Sequence, residues 1–302
     1  MKNENENNTK DFRSGYVSII GRPNVGKSTL LNSILSKKIA IVTKKPQTTR
    51  NRIVGIKTLP DAQIIFIDTP GIHRPRHKLG EAMVRTAKEA LKEVDVVLLM
   101  VEPREPRVED RAIIDLLRKV RSPVILLINK IDTVRKTEIL PLIEHLKELY
   151  YFEEIIPISA LTQDGIDLLI EIICNHLPPG PMYYPGDFVT DQLERFMVSE
   201  IIREKIMDMT EEEIPHSVAV EVADWKERED GLIFISNNIY LERESQKGII
   251  IGKKGTMLKS VGSAARVDIE KLLNTKVFLE LWVKVKKDWR DDKRLLHELG
   301  YK

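Results

Sequence analysis

Residues 21–28 read Gly-Arg-Pro-Asn-Val-Gly-Lys-Ser, a G-x-x-x-x-G-K-S run set directly after an apolar stretch and before a helical pattern. Gly21 and Gly26 let backbone N–H groups curl around phosphate oxygens, and the helix that follows adds the positive end of its dipole. Lys27 then reaches towards β- and γ-phosphates and Ser28 towards Mg²⁺, with Arg22, Pro23, Asn24, Val25 and Thr29 completing the cradle. Asp68-Thr69-Pro70-Gly71 closes a second apolar run, so the Asp68 carboxylate can face the metal through water while the Gly71 N–H faces the γ-phosphate. Asn129-Lys130-Ile131-Asp132 ends a third. A carboxylate at Asp132 accepts from guanine N1–H and N2–H₂, a donor pair that adenine lacks; Asn129 braces the pocket and Ser159-Ala160-Leu161 supplies backbone N–H to guanine O6. D-x-x-G and N-K-x-D are weak signals singly, but in this chain order with the glycine-rich loop they point to GTP or GDP with Mg²⁺.

These residues need a scaffold that brings several strand ends to one edge. From residue 16 to about 177, short β-rich runs at 16–20, 52–57, 63–68, 94–101, 124–129 and 155–159 alternate with helical patterns beginning near Lys27, Leu79, Val108, Thr137 and Gly165. That alternation is how βαβ units and a mostly parallel sheet read, and such sheets bind ligands at the carboxyl ends of their strands. Residues 177–186, Leu-Pro-Pro-Gly-Pro-Met-Tyr-Tyr-Pro-Gly, favour neither helix nor strand and read as a linker.

Beyond it the order becomes helix, strand, strand, helix, helix, strand. Asp191 with Glu194 is expected to form a capping box for the first helix. Strands are expected at 217–223, 232–241 and 276–285, with helices at 246–251 and 256–273. Between the last two helices lies G-x-x-G (Gly252, Lys253, Lys254, Gly255), a loop that lets a nucleic-acid backbone approach closely, charged by its lysines and followed by a helix N-terminus. Its order of elements matches the type II KH fold, with Ile249, Ile250 and Ile251 as an apolar groove wall. Lys259, Lys284 and Lys286 are further phosphate contacts, as is Arg290; Trp289 is a base-stacking candidate, and Trp282 is either that or core.

The charge supports this reading only when divided. Lys and Arg number 48 against 46 Asp and Glu, for a net +2. Residues 187–230 carry 5 basic and 14 acidic side chains, whereas 245–290 carry 11 basic and 4 acidic. Near-neutrality is therefore a sum of opposed faces, one of them suited to phosphate. A hydrophobic content of 42% excludes wholesale disorder, and no apolar run approaches a membrane span. Residues 1–13 read as a disordered polar tail without a signal-peptide core. The single cysteine, Cys174, leaves no internal disulfide and argues for a cytoplasmic setting.

The segment 16–177 resembles the translation-factor-type GTPases. Together, GRPNVGKS, PQTTR, DTPGIH, NKID, RFMVSEIIREKI, IIIGKKG and the terminal LGY make nearly the whole chain resemble the Era family of bacterial GTPases. The resemblance implies an α/β P-loop GTPase domain with a mostly parallel sheet (14–177), a linker (178–188) and an α+β type II KH domain with a C-terminal tail (189–302). It also implies GTP hydrolysis, binding of 16S rRNA near its 3′ end, a role in small-subunit maturation, and peripheral contact with the inner membrane. A monomer is expected. A loop threonine, Thr48 or Thr49, joins Ser28 and Asp68 on Mg²⁺; Thr49 is favoured because it directly precedes Arg50. Lys27, Thr49, Gly71 and Asn24 are the catalytic set, Asn24 because related GTPases with asparagine there use K⁺. Where signalling GTPases carry a water-orienting glutamine this chain has Ile72, so intrinsic hydrolysis is expected to be slow. GTP is expected to order the Thr48/Thr49 and 73–80 loops and to bias docking of the KH domain. The competing readings are a signalling or membrane-recruitment GTPase whose second domain binds protein, and a constitutive RNA-binding module.

Overall fold

The computed structural model describes residues 12–301, which fall into two units. The first holds the chain up to Ala40, then Thr49–Arg74 and Met83–Asp191; the second holds Ile41–Thr48, Pro75–Ala82 and the chain from Gln192 onwards. Residues 1–11, part of the expected tail, lie outside the described residues, and Arg13 already opens a strand.

In the first unit, β1 (Arg13–Gly21), β2 (Ile53–Thr58), β3 (Ala62–Asp68), β4 (Val96–Val101), β5 (Val124–Ile128) and β6 (Glu154–Pro157) form one sheet ordered β2-β3-β1-β4-β5-β6. Only the β2–β3 pair is antiparallel, as expected of a mostly parallel sheet. The crossovers carry α1 (Lys27–Leu35), α2 (Lys78–Glu89), α3 (Val108–Leu117) and α4 (Lys136–Leu149), and α5 (Ile166–His176) follows β6. Every residue of β4 and β5 is buried, the mark of parallel strands covered on both faces. Val97, Leu99, Leu126 and Ile128 pack with Ile113, Ile114 and Leu117 of α3 and Leu142 and Leu146 of α4. This rigid layer fixes the strand ends after Gly21, Asp68, Val101 and Ile128, from which the motifs emerge.

The proline-rich segment is not a free tether. Its prolines lack N–H groups, and its carbonyls take donors from the sheet: Ser14 N–H donates to Pro178 O (3.2 Å) and Gln63 Nε2 to Tyr184 O (2.8 Å). The Gln63 carbonyl in return accepts from the N–H groups of Tyr183 and Tyr184. Further on, Ile56 N–H donates to Val189 O (2.8 Å) and Thr190 Oγ1 to Val54 O (2.7 Å), so residues 189–190 run along the outer edge of β2.

In the second unit, β7 (Ala219–Glu227), β8 (Ile233–Leu241) and β9 (Val277–Val285) form a mixed sheet, antiparallel between β7 and β8 and parallel between β8 and β9. Helices α6 (Glu194–Met209), α7 (Ile214–Ser217), α8 (Glu244–Ile251), α9 (Thr256–Leu273) and α10 (Lys293–Glu298) complete it. One core joins Val198, Ile202 and Ile206 of α6, Ile250, and Val261, Ala265 and Ile269 of α9 to Ile235 and Ile239 of β8. Apart from the short α7 before β7 and α10 after β9, the order is the expected helix, strand, strand, helix, helix, strand of the KH fold.

Local details depart from the sequence reading. Helix α6 starts at Glu194 with Leu193 as its N-cap and no side-chain cap, so Asp191 lies two residues before the N-cap and the expected capping box with Glu194 does not form. Trp289 is fully buried, donates Nε1–H to Ser217 O (2.8 Å) and stacks on Tyr301 at 6.1 Å, so it is core and not a platform for bases. Arg290 is paired with Glu242 through two hydrogen bonds (2.9 and 2.5 Å), which withdraws it from phosphate contact. The second unit also takes in two stretches from the first half of the chain. Glu204 accepts the Val42 N–H (3.0 Å), fully buried Arg203 donates to Thr48 O, and Asp291 accepts the Lys78 N–H (2.9 Å).

Candidate functional site

The phosphate loop forms because β1 ends at Gly21 and α1 begins at Lys27, leaving five residues to turn. Gly26 has φ +107, and a Cβ there would meet Asn129 Nδ2 at 2.2 Å; glycine is what allows the asparagine in. Gly71 is fixed similarly, since its Cβ would fall 2.4 Å from Pro23 N. Lys27 is buried and donates to the carbonyls of Arg22 (2.9 Å) and Gly21 (3.4 Å). Burial lowers its pKa to about 8, although Asp68 pulls the other way.

Ser28, Thr49 and Asp68 come together. Ser28 Oγ donates to Asp68 Oδ2 (2.6 Å), lies 2.7 Å from Thr49 Oγ1, and Thr49 donates to the same carboxylate oxygen at 3.4 Å. Thr48 turns elsewhere, towards Thr43 and the Lys45 carbonyl. Burial raises the Asp68 pKa, opposed by Lys27, Ser28 and Thr49. Its other oxygen, Oδ1, is buried without a hydrogen-bond partner. Two hydroxyls and a carboxylate with an unsatisfied oxygen are the hard oxygen donors that suit Mg²⁺. Other motif residues serve the scaffold: Thr69 donates to Ile19 O (2.8 Å), Val25 is wholly buried, and Ile72 and Ile131 pack on the apolar cluster under α3 and α4. Asn24 is exposed at the crown of the loop with φ +64.

On the base side, Asn129 is a bridge. Its Nδ2 donates to Val25 O (2.8 Å) and its Oδ1 accepts the Ala160 N–H (2.9 Å), tying the phosphate loop to the strand end after β6. Ser159 Oγ donates to Asp132 Oδ1 (2.6 Å), orienting an otherwise exposed carboxylate, and Leu161 is 77% exposed beside it. Two residues that sequence reasoning did not single out also belong here. Glu102, directly after β4, accepts from Lys130 (2.6 Å) and Arg22 (3.2 Å), and Asp110 on α3 accepts from Arg22 (2.7 Å). The available signal was positional: β1 and β4 are neighbours, so the residues after them meet.

In the second unit the G-x-x-G loop is built from unusual backbone. Gly252 has φ 72 and ψ 172, Lys254 φ 53 and Gly255 φ 78, and α9 springs from Gly255 with no acidic residue in its first turn. Lys253 and Lys254 are exposed. Beside the loop, a cavity of about 410 Å³ is lined by Gly255, Lys259, Gly262, Arg266, Phe278 and Leu281 among others. Ile249 is half exposed and Ile251 partly so, but Ile250 is fully buried in the core, because α8 turns that face inward; it is not a groove residue. Lys284 and Lys286 are exposed but do not line the cavity. Trp282 is 55% exposed, alternating with Leu281 and Val283, which pack into the core.

Comparison with known proteins agrees with this division. Residues 16–130 match the family described as 50S ribosome-binding GTPase, and residues 213–290 match the KH domain. The chain is 59% identical over 292 residues to GTPase Era of Geobacter metallireducens, covering 96% of this chain and 98% of that protein. It is 54% identical to GTPase Era of Ruminiclostridium cellulolyticum, with coverage of 96% and 98%. Among solved structures it is similar to a tyrosine-to-alanine variant of Aquifex aeolicus Era bound to GDP·AlF₄⁻ (TM-score 0.93, 43% identity, 96% and 99% covered). The same values hold for Era in complex with MgGDPNP and nucleotides 1506–1542 of 16S ribosomal RNA.

Proposed function

The chain belongs to the GTPase Era family and is a GTPase, and from that premise we propose that it is a GTP-driven switch whose KH unit binds 16S rRNA near its 3′ end during small-subunit maturation. The observation that carries the nucleotide reading is Asn129, which joins Val25 and Ala160 and so frames a base pocket next to a phosphate cradle. Asp132 reads guanine, Lys27 neutralises the β- and γ-phosphates, and the Gly71 N–H holds the γ-phosphate. Ser28, Thr49 and Asp68 hold Mg²⁺, which supplies positive charge to the phosphate oxygens. Ile72 cannot orient water, so turnover in the absence of partner is slow. Asn24 would be the residue to hold K⁺, which would add positive charge near the phosphates. The RNA reading draws on the exposed Lys253 and Lys254 beside the α9 N-terminus and on the relative bound to 16S rRNA nucleotides 1506–1542. A cytoplasmic protein with peripheral inner-membrane contact follows from the family resemblance; no helix among the described residues is long and apolar enough to cross a membrane.

Lys27 gives this reading a pH signature. With its pKa lowered to about 8 in the free protein, an arriving polyphosphate raises it again. Below about pH 7 the ammonium is charged in both states and Lys27 contributes no pH dependence; above about pH 8 it must take up a proton to bind, and affinity falls as pH rises. Calorimetry in buffers of different ionisation heat reads this as a net proton uptake at about pH 8.5 that exceeds the count at about pH 6.5. Equal proton counts at both values refute it.

The nucleotide and RNA sites are coupled, supported by the membership of Ile41–Thr48, the stretch just before Thr49, in the second unit. Titration of a 16S 1506–1542 oligonucleotide onto GTP-analogue and GDP forms should give different affinities, with the reciprocal change in nucleotide affinity. Identical RNA curves end the switch reading. Measured in the same assay, GTP turnover should be faster in K⁺ than in Na⁺ and lose that difference in Asn24→Ala; equal wild-type rates remove K⁺.

A further inference from the structure

Behind the nucleotide loops lies a charge cluster that the motifs do not name. Glu102 is largely buried, its side chain 16% exposed, and three cations converge on it: Arg22 (3.2 Å), Lys130 (2.6 Å) and Arg104. Arg22 is the second residue of the phosphate loop, and its Nε also donates to buried Asp110 (2.7 Å). Lys130 belongs to the base loop, and its Nζ also donates to the Asn24 carbonyl at the crown of the phosphate loop (2.8 Å). Burial alone would raise the Glu102 carboxyl, but the hydrogen bond and charge of Lys130, with Arg104 and Arg22, hold it below the usual range. One anion thus stands between two loops, each of which brings a cation to it. Without that anion Arg22 and Lys130 would repel each other, and the Lys130 ammonium would have only a backbone carbonyl to hold it.

We propose that Glu102 is a positioning residue for guanine-nucleotide binding, the shared anion that fixes Arg22 of the phosphate loop and Lys130 of the base loop to one another. It touches no nucleotide in this role; it acts by holding the two loops at the spacing at which base and phosphates are bound together. This rests on the reading of the site as a guanine-nucleotide site. The side chain of choice is a carboxylate, because each of its oxygens serves a different loop: Oε1 takes Lys130 and Oε2 takes Arg22. Glutamine at 102 keeps the shape but turns an amide N–H₂ towards one of those cations, so it breaks one tie and opposes the other.

The test compares full-length wild type and Glu102→Gln for release of a fluorescent GDP and for the KM and kcat of GTP turnover. The expected result is GDP release faster by about tenfold or more and KM raised by a similar factor, with kcat within about twofold. A residue that merely supports the fold would lower the melting temperature and the fraction of active sites while leaving GDP release from the folded fraction unchanged; that result overturns the proposal. Lys130→Met cuts the same tie from the other side. If Glu102 works through Lys130, the double variant releases GDP more slowly than the product of the two single effects predicts, and full multiplicativity overturns the proposal. Wild type that retains no guanine nucleotide would refute the reading of the site itself, whereas retention by wild type with unchanged release from Glu102→Gln refutes the role of Glu102 alone.

Discussion

Asp132→Asn should lose affinity for GTP and GDP by about a hundredfold to a thousandfold and gain affinity for xanthosine triphosphate. The carboxylate offers two acceptors to a base edge that presents two donors; an amide replaces one acceptor with a donor and sets it against a donor of guanine. Xanthine carries a carbonyl where guanine has its amino group, so the amide then finds a partner. Because Asp132 is exposed and Ser159 Oγ still finds an oxygen to donate to, the fold should tolerate the change to within about 0.5 kcal/mol. Displacement of a fluorescent GDP by GTP, XTP and ATP reads all of this at once. An unchanged preference for GTP over XTP would show that Asp132 does not read the base.

Gly252→Ala should weaken binding of the 16S oligonucleotide by about tenfold to a hundredfold while leaving GTP turnover unchanged. At φ 72 and ψ 172 the backbone of Gly252 lies where essentially only glycine is comfortable. An added Cβ would also meet Met257 Cβ at 2.7 Å and its N at 2.8 Å, atoms of α9 that cannot step aside. The loop must change shape, and with it the surface offered to the RNA backbone. Gly255 provides the internal comparison. It too has positive φ, 78, but a Cβ there meets nothing within 4 Å, so Gly255→Ala carries only the backbone cost of about 1 kcal/mol and a much smaller loss. Equal effects at the two positions, or none at Gly252, would remove the loop from the RNA site. Lys253→Gln and Lys254→Gln act differently, lowering affinity for any RNA and flattening its dependence on salt.

What the sequence revealed and what it hid divide along a physical line. The placement of Lys27, Asp68, Asn129 and Asp132 at or just after strand ends was readable because a strand and the turn after it are dictated by the adjacent residues themselves. The same holds for the G-x-x-G turn. Residues whose position depends on partners distant in sequence were not readable. Ile250 looks like its neighbours Ile249 and Ile251, and only the packing of α8 decides that it faces the core. Trp289 and Arg290 sit in a basic run that suggests RNA, yet Ser217 and Glu242, far away in the chain, claim both. Glu102 escaped notice because its meaning comes from the adjacency of β1 and β4. Arg203, which sequence reasoning did not single out, is wholly buried, anchored by Glu200 and bonded to Thr48, partners that its place in the middle of a helix does not announce.

The proline-rich segment, finally, bears on where this chain can be divided. An open parallel sheet has two raw margins, and a margin lined with unpaired N–H and C=O groups invites a strand from another copy. On the β2 side that margin is occupied by the chain itself, through Val189 against Ile56 and Thr190 against Val54. A nucleotide-binding fragment ending at Leu177 would shed its own selvage and leave those groups open to a neighbour, whereas one carried through to Asp191 keeps the hem sewn. The residues just beyond the stretch that composition marks as a connector therefore act as a guard against self-association, and the first unit ends some way beyond the last helix of its sheet.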